Sequence, residues 1–139
     1  MSVLYSTQAR THGGRAGHVE TTDGLLNIDL ATPKELGGPG GATNPEQLFA
    51  AGYAACFESA LRLVASRQKA PLEDVTMIST VALLPNGQGG FVLDVALEAQ
   101  TKGVDQAAAE ALVSAAHQIC PYSNALRGNV DVKLTAKAA

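Results

Sequence analysis

Two cysteines, Cys56 and Cys120, are the side chains of this sequence best suited to nucleophilic or redox chemistry. They do not form a C-x-x-C motif, which argues against a thioredoxin-type dithiol. A tetrahedral metal site needs more ligands than the two cysteines and the one nearby histidine, His117, supply. Free cysteines most often behave as buried small apolar residues, so residue type alone does not decide whether this pair is inert or reactive.

His117 lies three residues before Cys120 on one face of a predicted helix, which allows a cysteine–histidine nucleophile. A histidine near a helix C-terminus commonly only satisfies the last carbonyls and the helix dipole. A cysteine hydrolase would also need an oriented third group, and His12 and His18 are the other candidate bases. A binding module with two inert cysteines is a further alternative, and thiol titration separates it from a reactive protein.

Length and composition indicate one globular domain over residues 1–139. Hydrophobic residues make up 46% of the chain and charged residues 17%, a mixture unlike that of disordered proteins. The net charge of -3 and the lack of Lys/Arg runs give no signature of nucleic-acid or membrane binding. Residues 1–20 lack the apolar stretch of a signal peptide, and the longest apolar run, 48–57, is shorter than the roughly 20 residues that cross a bilayer. We therefore expect a cytoplasmic protein.

The elements that must position the cysteines are predicted to be two helices and several strands. Asn44 and Pro45 suit the N-cap and first position of a helix that reaches about residue 68, and Gln47 suits a capping box. Asp105 can cap a second helix to about residue 119, and Pro121 marks its end. Apolar alternation predicts strands at 3–9, 18–22, 25–30, 75–84, 91–99 and 130–136.

The order of these elements predicts the fold class. Asp23-Gly24, between two of the first strands, is a strong signal for a tight hairpin. Strands are followed by a helix, a hairpin, a helix and a strand, which predicts an α+β fold with antiparallel sheet. The first helix is rich in Ala, Gly and Ser, so another backbone can approach it closely and we expect it to be central.

Two segments closely resemble a known protein family. Residues 43–57, TNPEQLFAAGYAACF, resemble the peroxidatic helix of the organic hydroperoxide resistance (Ohr) proteins. Residues 117–125, HQICPYSNA, resemble their resolving-cysteine segment, and residues 13–15, GGR, resemble the loop with the family's catalytic arginine. The resemblance covers nearly the whole chain. Ohr proteins belong with the osmotically inducible protein C (OsmC) superfamily, and the CPYSN sequence favours the Ohr branch.

The resemblance implies a fold, an activity and four site residues. The fold is α+β and OsmC/Ohr-like, with antiparallel sheets wrapped around two central helices in an intertwined homodimer. The activity is reduction of organic hydroperoxides to alcohols by a thiol peroxidase that protects against oxidative stress. Cys56 is the peroxidatic cysteine, Cys120 the resolving cysteine, and Arg15 and Glu46 are catalytic. The resemblance also implies no bound cofactor or metal, and a lipoylated protein as external reductant.

The chemistry of these residues fits such roles. A peroxide is attacked by thiolate, so Cys56 needs a depressed pKa, and Arg15 offers a permanent positive charge. Glu46 can hold the guanidinium through two hydrogen bonds. Each has an ordinary alternative: a carboxylate in a first helical turn favours the helix dipole, and an arginine in a loop is a solvated side chain.

The spacing along the first helix sets a geometric condition. Glu46 and Cys56 are ten residues apart, hence about 15 Å along a straight helix. Both can serve Arg15 only if the helix bends, with Gly52 the candidate, or if one partner comes from a second subunit. We favour a site shared across the dimer interface. The Ala-, Leu- and Phe-rich surroundings of Cys56 predict an apolar pocket for bulky, lipid-like hydroperoxides rather than hydrogen peroxide.

Overall fold

The computed structural model describes residues 1–139, which form two compact units, Met1–Leu48 and Phe49–Ala139. Each unit contains one three-stranded sheet, and the chain has three α-helices in all. The predicted α+β class is therefore confirmed. The assignment of residues 1–139 to a single OsmC/Ohr-like domain stays a prediction.

The first unit contains an antiparallel sheet of three short strands in the order β1-β2-β3. Strand β1 is Ala9–His12, β2 is His18–Thr21 and β3 is Asn27–Asp29. The strand predicted at 3–9 is thus displaced toward the C-terminus. Strand β2 ends at Thr21, opposite Ala9, and the backbone pairing ends with the Thr22 N–H, which donates to the Gln8 carbonyl oxygen at 3.0 Å.

The hairpin predicted at Asp23-Gly24 connects β2 and β3, but its loop is longer than two residues. The Thr21 N–H donates to the Leu26 carbonyl oxygen at 2.8 Å, which closes the loop. Inside it, the Asp23 carboxylate accepts from the Thr21 hydroxyl at 2.7 Å and from the Leu25 N–H at 3.0 Å. These side-chain contacts stabilise a loop that Asp-Gly alone predicts to be tighter.

Helix α1 spans Pro45–Arg67, in agreement with the predicted helix. The Asn44 side-chain oxygen accepts from the Gln47 N–H at 2.9 Å, which confirms the N-cap. The capping box is only half formed, because the Gln47 side chain accepts from the Thr43 hydroxyl at 2.7 Å. Six of the α1 side chains are buried: Tyr53, Phe57, Ala60, Leu61, Val64 and Ala65.

The whole of α1 is a longer apolar element than the run at 48–57. By length and composition alone it could cross a membrane, a test that the core helix of a soluble protein also passes. Its buried side chains pack in a core with residues of the second sheet and of helix α2, Gln106–Ile119.

The second unit has a mixed sheet in the order β4-β5-β6, where antiparallel pairing alone was predicted. Strands β4, Asp74–Pro85, and β5, Phe91–Lys102, form the antiparallel hairpin. Strand β6, Lys133–Ala138, lies parallel to β5. The reason is the connection: about thirty residues with two helices separate β5 from β6, and such a crossover returns the chain in the same direction.

Two consecutive helices make this crossover. The Asp105 side chain caps α2 by accepting from the Ala108 N–H at 2.8 Å, as predicted. Pro121 ends α2, but it is also the first residue of a further helix, α3, Pro121–Leu126, which the sequence reading missed. Proline suits a first helical position as well as a helix end, so one residue carries both signals.

Candidate active site

The fold brings the two cysteines together. Cys56 lies in the middle of α1 and is half-buried, whereas Cys120 lies between α2 and α3 and is fully buried. Both are free thiols, and their sulfur atoms are 3.7 Å apart. A disulfide bond is about 2.05 Å long, so less than 2 Å of movement would join them.

The surroundings of Cys56 within the second unit do not favour its thiolate. Burial raises the pKa of the Cys56 thiol, and the adjacent Cys120 thiol raises it further. The backbone N–H of Tyr122 donates to the Cys56 sulfur and acts in the opposite direction. This N–H is free because the first N–H groups of a helix, here α3, have no partner within it. The depressed pKa that a peroxidatic cysteine needs is therefore not produced by its neighbours in Phe49–Ala139.

Arg15 and Glu46 form a bidentate ion pair in the first unit. The guanidinium donates from Nη1 to Glu46 Oε2 at 2.7 Å and from Nη2 to Oε1 at 2.6 Å. Hydrogen bonding to Arg15 lowers the pKa of the Glu46 carboxyl, and the carboxylate raises the pKa of Arg15 in return. Both groups are consequently charged at neutral pH, and the guanidinium is held in one orientation.

The loop between β1 and β2 presents Arg15 on a short 3₁₀ turn, Gly14–Ala16. Gly13 precedes this turn with φ of 85°, in the left-handed region that side chains with a Cβ rarely adopt. The glycines of the GGR sequence thus have a conformational role, which is to shape the turn that carries the arginine.

Helix α1 continues through Gly52, so the helix is not interrupted where a bend was considered. Gly52 instead allows close packing: a Cβ at this position would lie 2.9 Å from the Tyr122 hydroxyl oxygen. The lack of a side chain lets Tyr122 lie against α1, beside Cys56. A site shared between two subunits, the other solution to the spacing of Glu46 and Cys56, stays a prediction.

An open apolar cleft lies next to the cysteines. Its volume is about 400 Å³, and it is lined by Phe49, Pro121, Tyr122, Ala125 and Leu126. Tyr122 is also the residue whose N–H contacts the Cys56 sulfur, and Pro121 follows Cys120 directly. Neither cysteine is among the lining residues, so the apolar pocket predicted at Cys56 stays a prediction.

His117 contacts neither cysteine, although the sequence suggested it as a partner for a cysteine nucleophile. Its Nδ1 lies 2.9 Å from the Ser123 hydroxyl, which lies 2.6 Å from the Tyr53 hydroxyl. Sequence reasoning did not identify Tyr53 or Ser123, because their contacts join residues 70 positions apart. No group of three or more His, Cys, Asp or Glu side chains is arranged to hold a metal ion.

Comparison with known proteins places the chain in a family. A family model described as OsmC-like protein matches residues 38–135. An organic hydroperoxide resistance protein from Xanthomonas axonopodis pv. citri is 49% identical over 134 residues, which cover 96% of this chain and 94% of that protein. The organic hydroperoxide resistance protein OhrB of Bacillus subtilis is 46% identical, with coverage of 96% and 98%.

A solved structure extends the similarity to the fold. The crystal structure of an organic hydroperoxide resistance protein from Legionella pneumophila is 66% identical and has a TM-score of 0.96 to this chain. The match covers 98% of this chain and 99% of that one. The chain therefore belongs to the OsmC-like family and, within it, to the organic hydroperoxide resistance proteins.

Proposed function

We propose that this chain is a cysteine-based peroxidase that reduces organic hydroperoxides and thereby contributes to organic hydroperoxide resistance. The observation that carries the proposal is the 3.7 Å separation of two free sulfurs, Cys56 and Cys120, whose positions differ by 64 residues. Two inert cysteines have no need of this proximity, whereas an oxidised thiol needs a second thiol within reach. The relatives described above are named organic hydroperoxide resistance proteins, which supports the role in resistance.

The proposed reaction has two steps. The Cys56 thiolate attacks one peroxide oxygen, the O–O bond breaks, and the departing alkoxide takes up a proton to become the alcohol. Cys56 is left as a sulfenic acid. The Cys120 sulfur then attacks the Cys56 sulfur, the S–O bond breaks, and the hydroxide that leaves takes up the thiol proton to become water. The disulfide returns to two thiols by exchange with an external dithiol, for which we propose a lipoylated protein, without a bound cofactor or metal.

Arg15 and Glu46 are proposed to serve the first step. Their two hydrogen bonds restrict the guanidinium to one orientation without removing its charge. A guanidinium so fixed can donate to the peroxide oxygens as negative charge develops on the leaving alkoxide. This requires Arg15 to reach the peroxide held at Cys56, and we propose that it does so in a site shared between two subunits.

The proposed assembly is an intertwined, cytoplasmic homodimer. Large apolar side chains are exposed in the single chain, among them Leu4, Tyr5, Leu63 and Phe91, and they supply apolar surface for an interface. An obligate interface of this kind buries about 2,000 Å² or more in total. Sedimentation at micromolar concentration tests the proposal, and a stable monomer with full activity contradicts it.

The substrates are proposed to be organic, lipid-like hydroperoxides. The cleft that Tyr122 lines, whose N–H contacts the Cys56 sulfur, has an apolar lining and a volume of about 400 Å³, which suits an alkyl chain. The experiment is a peroxidase assay with lipoyl dithiol as reductant, in which cumene hydroperoxide and hydrogen peroxide are compared at equal concentration. We expect faster turnover of cumene hydroperoxide. Equal turnover of both would contradict the assigned substrate class, and turnover of neither would contradict the peroxidase itself.

Replacing Cys120 with serine is expected to stop turnover after one reduction. Without the resolving thiol, the Cys56 sulfenic acid persists and is oxidised further to sulfinic acid by excess hydroperoxide. The reduced variant should consume one equivalent of hydroperoxide rapidly. Mass spectrometry should then find over-oxidised Cys56 in the variant and an intramolecular disulfide in the wild type. A wild type without that disulfide after peroxide treatment would show that Cys120 is not the resolving residue.

A further inference from the structure

A chain of three polar side chains lies behind the cysteine pair. Tyr53 and Ser123 are both 0% exposed, and their hydroxyl oxygens are 2.6 Å apart. The Ser123 hydroxyl lies 2.9 Å from Nδ1 of His117, which is partly buried. Each of the three residues is three positions from a cysteine: Tyr53 precedes Cys56, while His117 and Ser123 flank Cys120. The proposed peroxidase reaction assigns no role to any of them.

One orientation of the hydrogen bonds among Tyr53, Ser123 and His117 gives every donated proton an acceptor. A buried phenol needs an acceptor for its proton, and the Ser123 oxygen is the hydrogen-bond partner of the Tyr53 hydroxyl. The Ser123 hydroxyl must then donate to His117 Nδ1, which can accept only when the imidazole is neutral. Burial and the nearby Arg127 guanidinium lower the pKa of His117, which favours this neutral form.

These three hydrogen-bonded side chains join helix α1, which carries Cys56, to the residues on both sides of Cys120. Tyr53 belongs to α1, His117 to the last turn of α2, and Ser123 to α3. Cys120 therefore lies between His117 and Ser123 along the sequence. Arg127 adds a further restraint, because its Nη2 donates to the His117 carbonyl oxygen at 2.6 Å. The backbone that carries Cys120 is therefore held against α1 at the turn that precedes Cys56.

Such restraint matters for the second chemical step. The sulfurs are 3.7 Å apart, and disulfide formation requires them to approach to about 2.05 Å. Reactions between groups held in a near-attack geometry are fast because little orientational freedom is lost, and a 1 Å misplacement can cost roughly 10²-fold in rate. Loosening of Cys120 relative to α1 would slow its attack on Cys56, whereas the attack of Cys56 on a peroxide does not involve the Cys120 thiol.

We propose that Tyr53, Ser123 and His117 are positioning residues that hold Cys120 for its attack on the Cys56 sulfenic acid. The proposal rests on the peroxidase function proposed above and assigns the three side chains to its second step. In that step the bond between the two sulfurs forms, the S–O bond of Cys56 breaks, and the hydroxide leaves as water with the Cys120 thiol proton. None of the three side chains exchanges atoms with the reactants.

The test compares the two steps in Tyr53→Phe and Ser123→Ala, with Ser114→Ala as the matched control on an exposed residue. Reduced protein is mixed with one equivalent of cumene hydroperoxide and quenched with acid and an alkylating agent at set times. Peroxide loss reports the first step, and the mass of the alkylated protein reports the second. We expect wild-type peroxide loss in all variants, and disulfide formation slowed by about tenfold or more in the two test variants alone.

A second readout separates positioning from a general loss of packing. With excess hydroperoxide, Tyr53→Phe and Ser123→Ala should accumulate sulfinic acid at Cys56, because slow resolution exposes the sulfenic acid to further oxidation. His117→Asn, which keeps an acceptor close to the position of Nδ1, should resolve faster than His117→Leu. Tyr53→Phe removes one oxygen from a side chain that otherwise stays in place, so it remains a usable test variant if Ser123→Ala does not fold.

Two results would overturn the proposal: wild-type disulfide formation in Tyr53→Phe and Ser123→Ala, or slowing of both steps by the same factor. A wild-type protein that consumes no cumene hydroperoxide would instead overturn the peroxidase function. Failure of the inference and failure of the function on which it rests are therefore distinguished in one experiment.

Discussion

Replacing Cys56 with serine is expected to abolish hydroperoxide reduction and to leave the fold intact. A serine hydroxyl is not ionised near neutral pH and cannot replace a thiolate as the nucleophile. The change is nearly isosteric, and Cys56 is only half-buried, so little packing is lost. The measurement is consumption of cumene hydroperoxide with lipoyl dithiol in steady state, together with thermal unfolding of the purified variant.

The comparison with Cys120→Ser makes this prediction specific. Both variants remove one sulfur of the pair, but only Cys120→Ser retains the attacking thiolate, so it should still consume one equivalent of hydroperoxide. Cys56→Ser should consume none. Equal single-turnover reduction by the two variants would mean that the assignment of Cys56 as the peroxidatic residue is wrong.

The parts of the fold that sequence predicts well are those fixed by local chemistry. Asn44 and Pro45 define the start of α1 because capping and a first-position proline depend only on adjacent residues. The Asp105 cap of α2 is correct for the same reason. Parallel pairing of β6 is different, because it depends on where the long crossover places the chain rather than on residues 133–138.

In the candidate site too, some features follow from the local sequence and others only from the folded chain. Cys56, Cys120, Arg15 and Glu46 were found by residue type and motif, and the structure joins them as two pairs. Motif and residue type do not reveal electrostatics: burial raises the pKa of Cys56, although its proposed role needs a low pKa. That shift arises from burial, which is a property of the folded chain.

Ionisation of Cys56 alone gives too small a gain in rate to account for the role proposed for Arg15. A thiol with an ordinary pKa of about 8.5 is roughly 3% thiolate at pH 7. Lowering the pKa to about 6 would give roughly 90% thiolate, a gain of about 30-fold. A less basic thiolate is also a weaker nucleophile, and a Brønsted slope of about 0.4–0.5 reduces the rate by about tenfold or slightly more. The net gain is only a few-fold, which is too small for an efficient peroxidase.

We therefore propose that the guanidinium also acts on the transition state. As the O–O bond breaks, negative charge moves onto the leaving alkoxide, and an oriented donor can stabilise that charge. One preorganised donor of this kind contributes roughly 10²–10³ in rate. The bidentate contact with Glu46, at 2.6 and 2.7 Å, supplies the orientation before the substrate binds.

Arg15→Ala is accordingly expected to lower peroxide reduction by more than tenfold at a pH where Cys56 is fully ionised. Because burial raises the pKa of Cys56, the rates of wild type and variant should both increase with pH and then reach plateaus, with the plateau of the variant lower. Glu46→Ala should reduce the rate less, since the arginine keeps its charge but loses its orientation. Arg10→Ala, in the exposed pair with Glu20, is the matched control and should behave as wild type.

Stopped-flow rates of cumene hydroperoxide reduction against pH provide the measurement, with ionisation of Cys56 followed by thiolate absorbance in the same variants. The two effects of Arg15 separate at the plateau, where every Cys56 is already thiolate and further depression of its pKa has no effect. If high pH restores Arg15→Ala to the wild-type rate, the arginine acts only on the ionisation of Cys56, and its proposed donation to the peroxide oxygens is wrong.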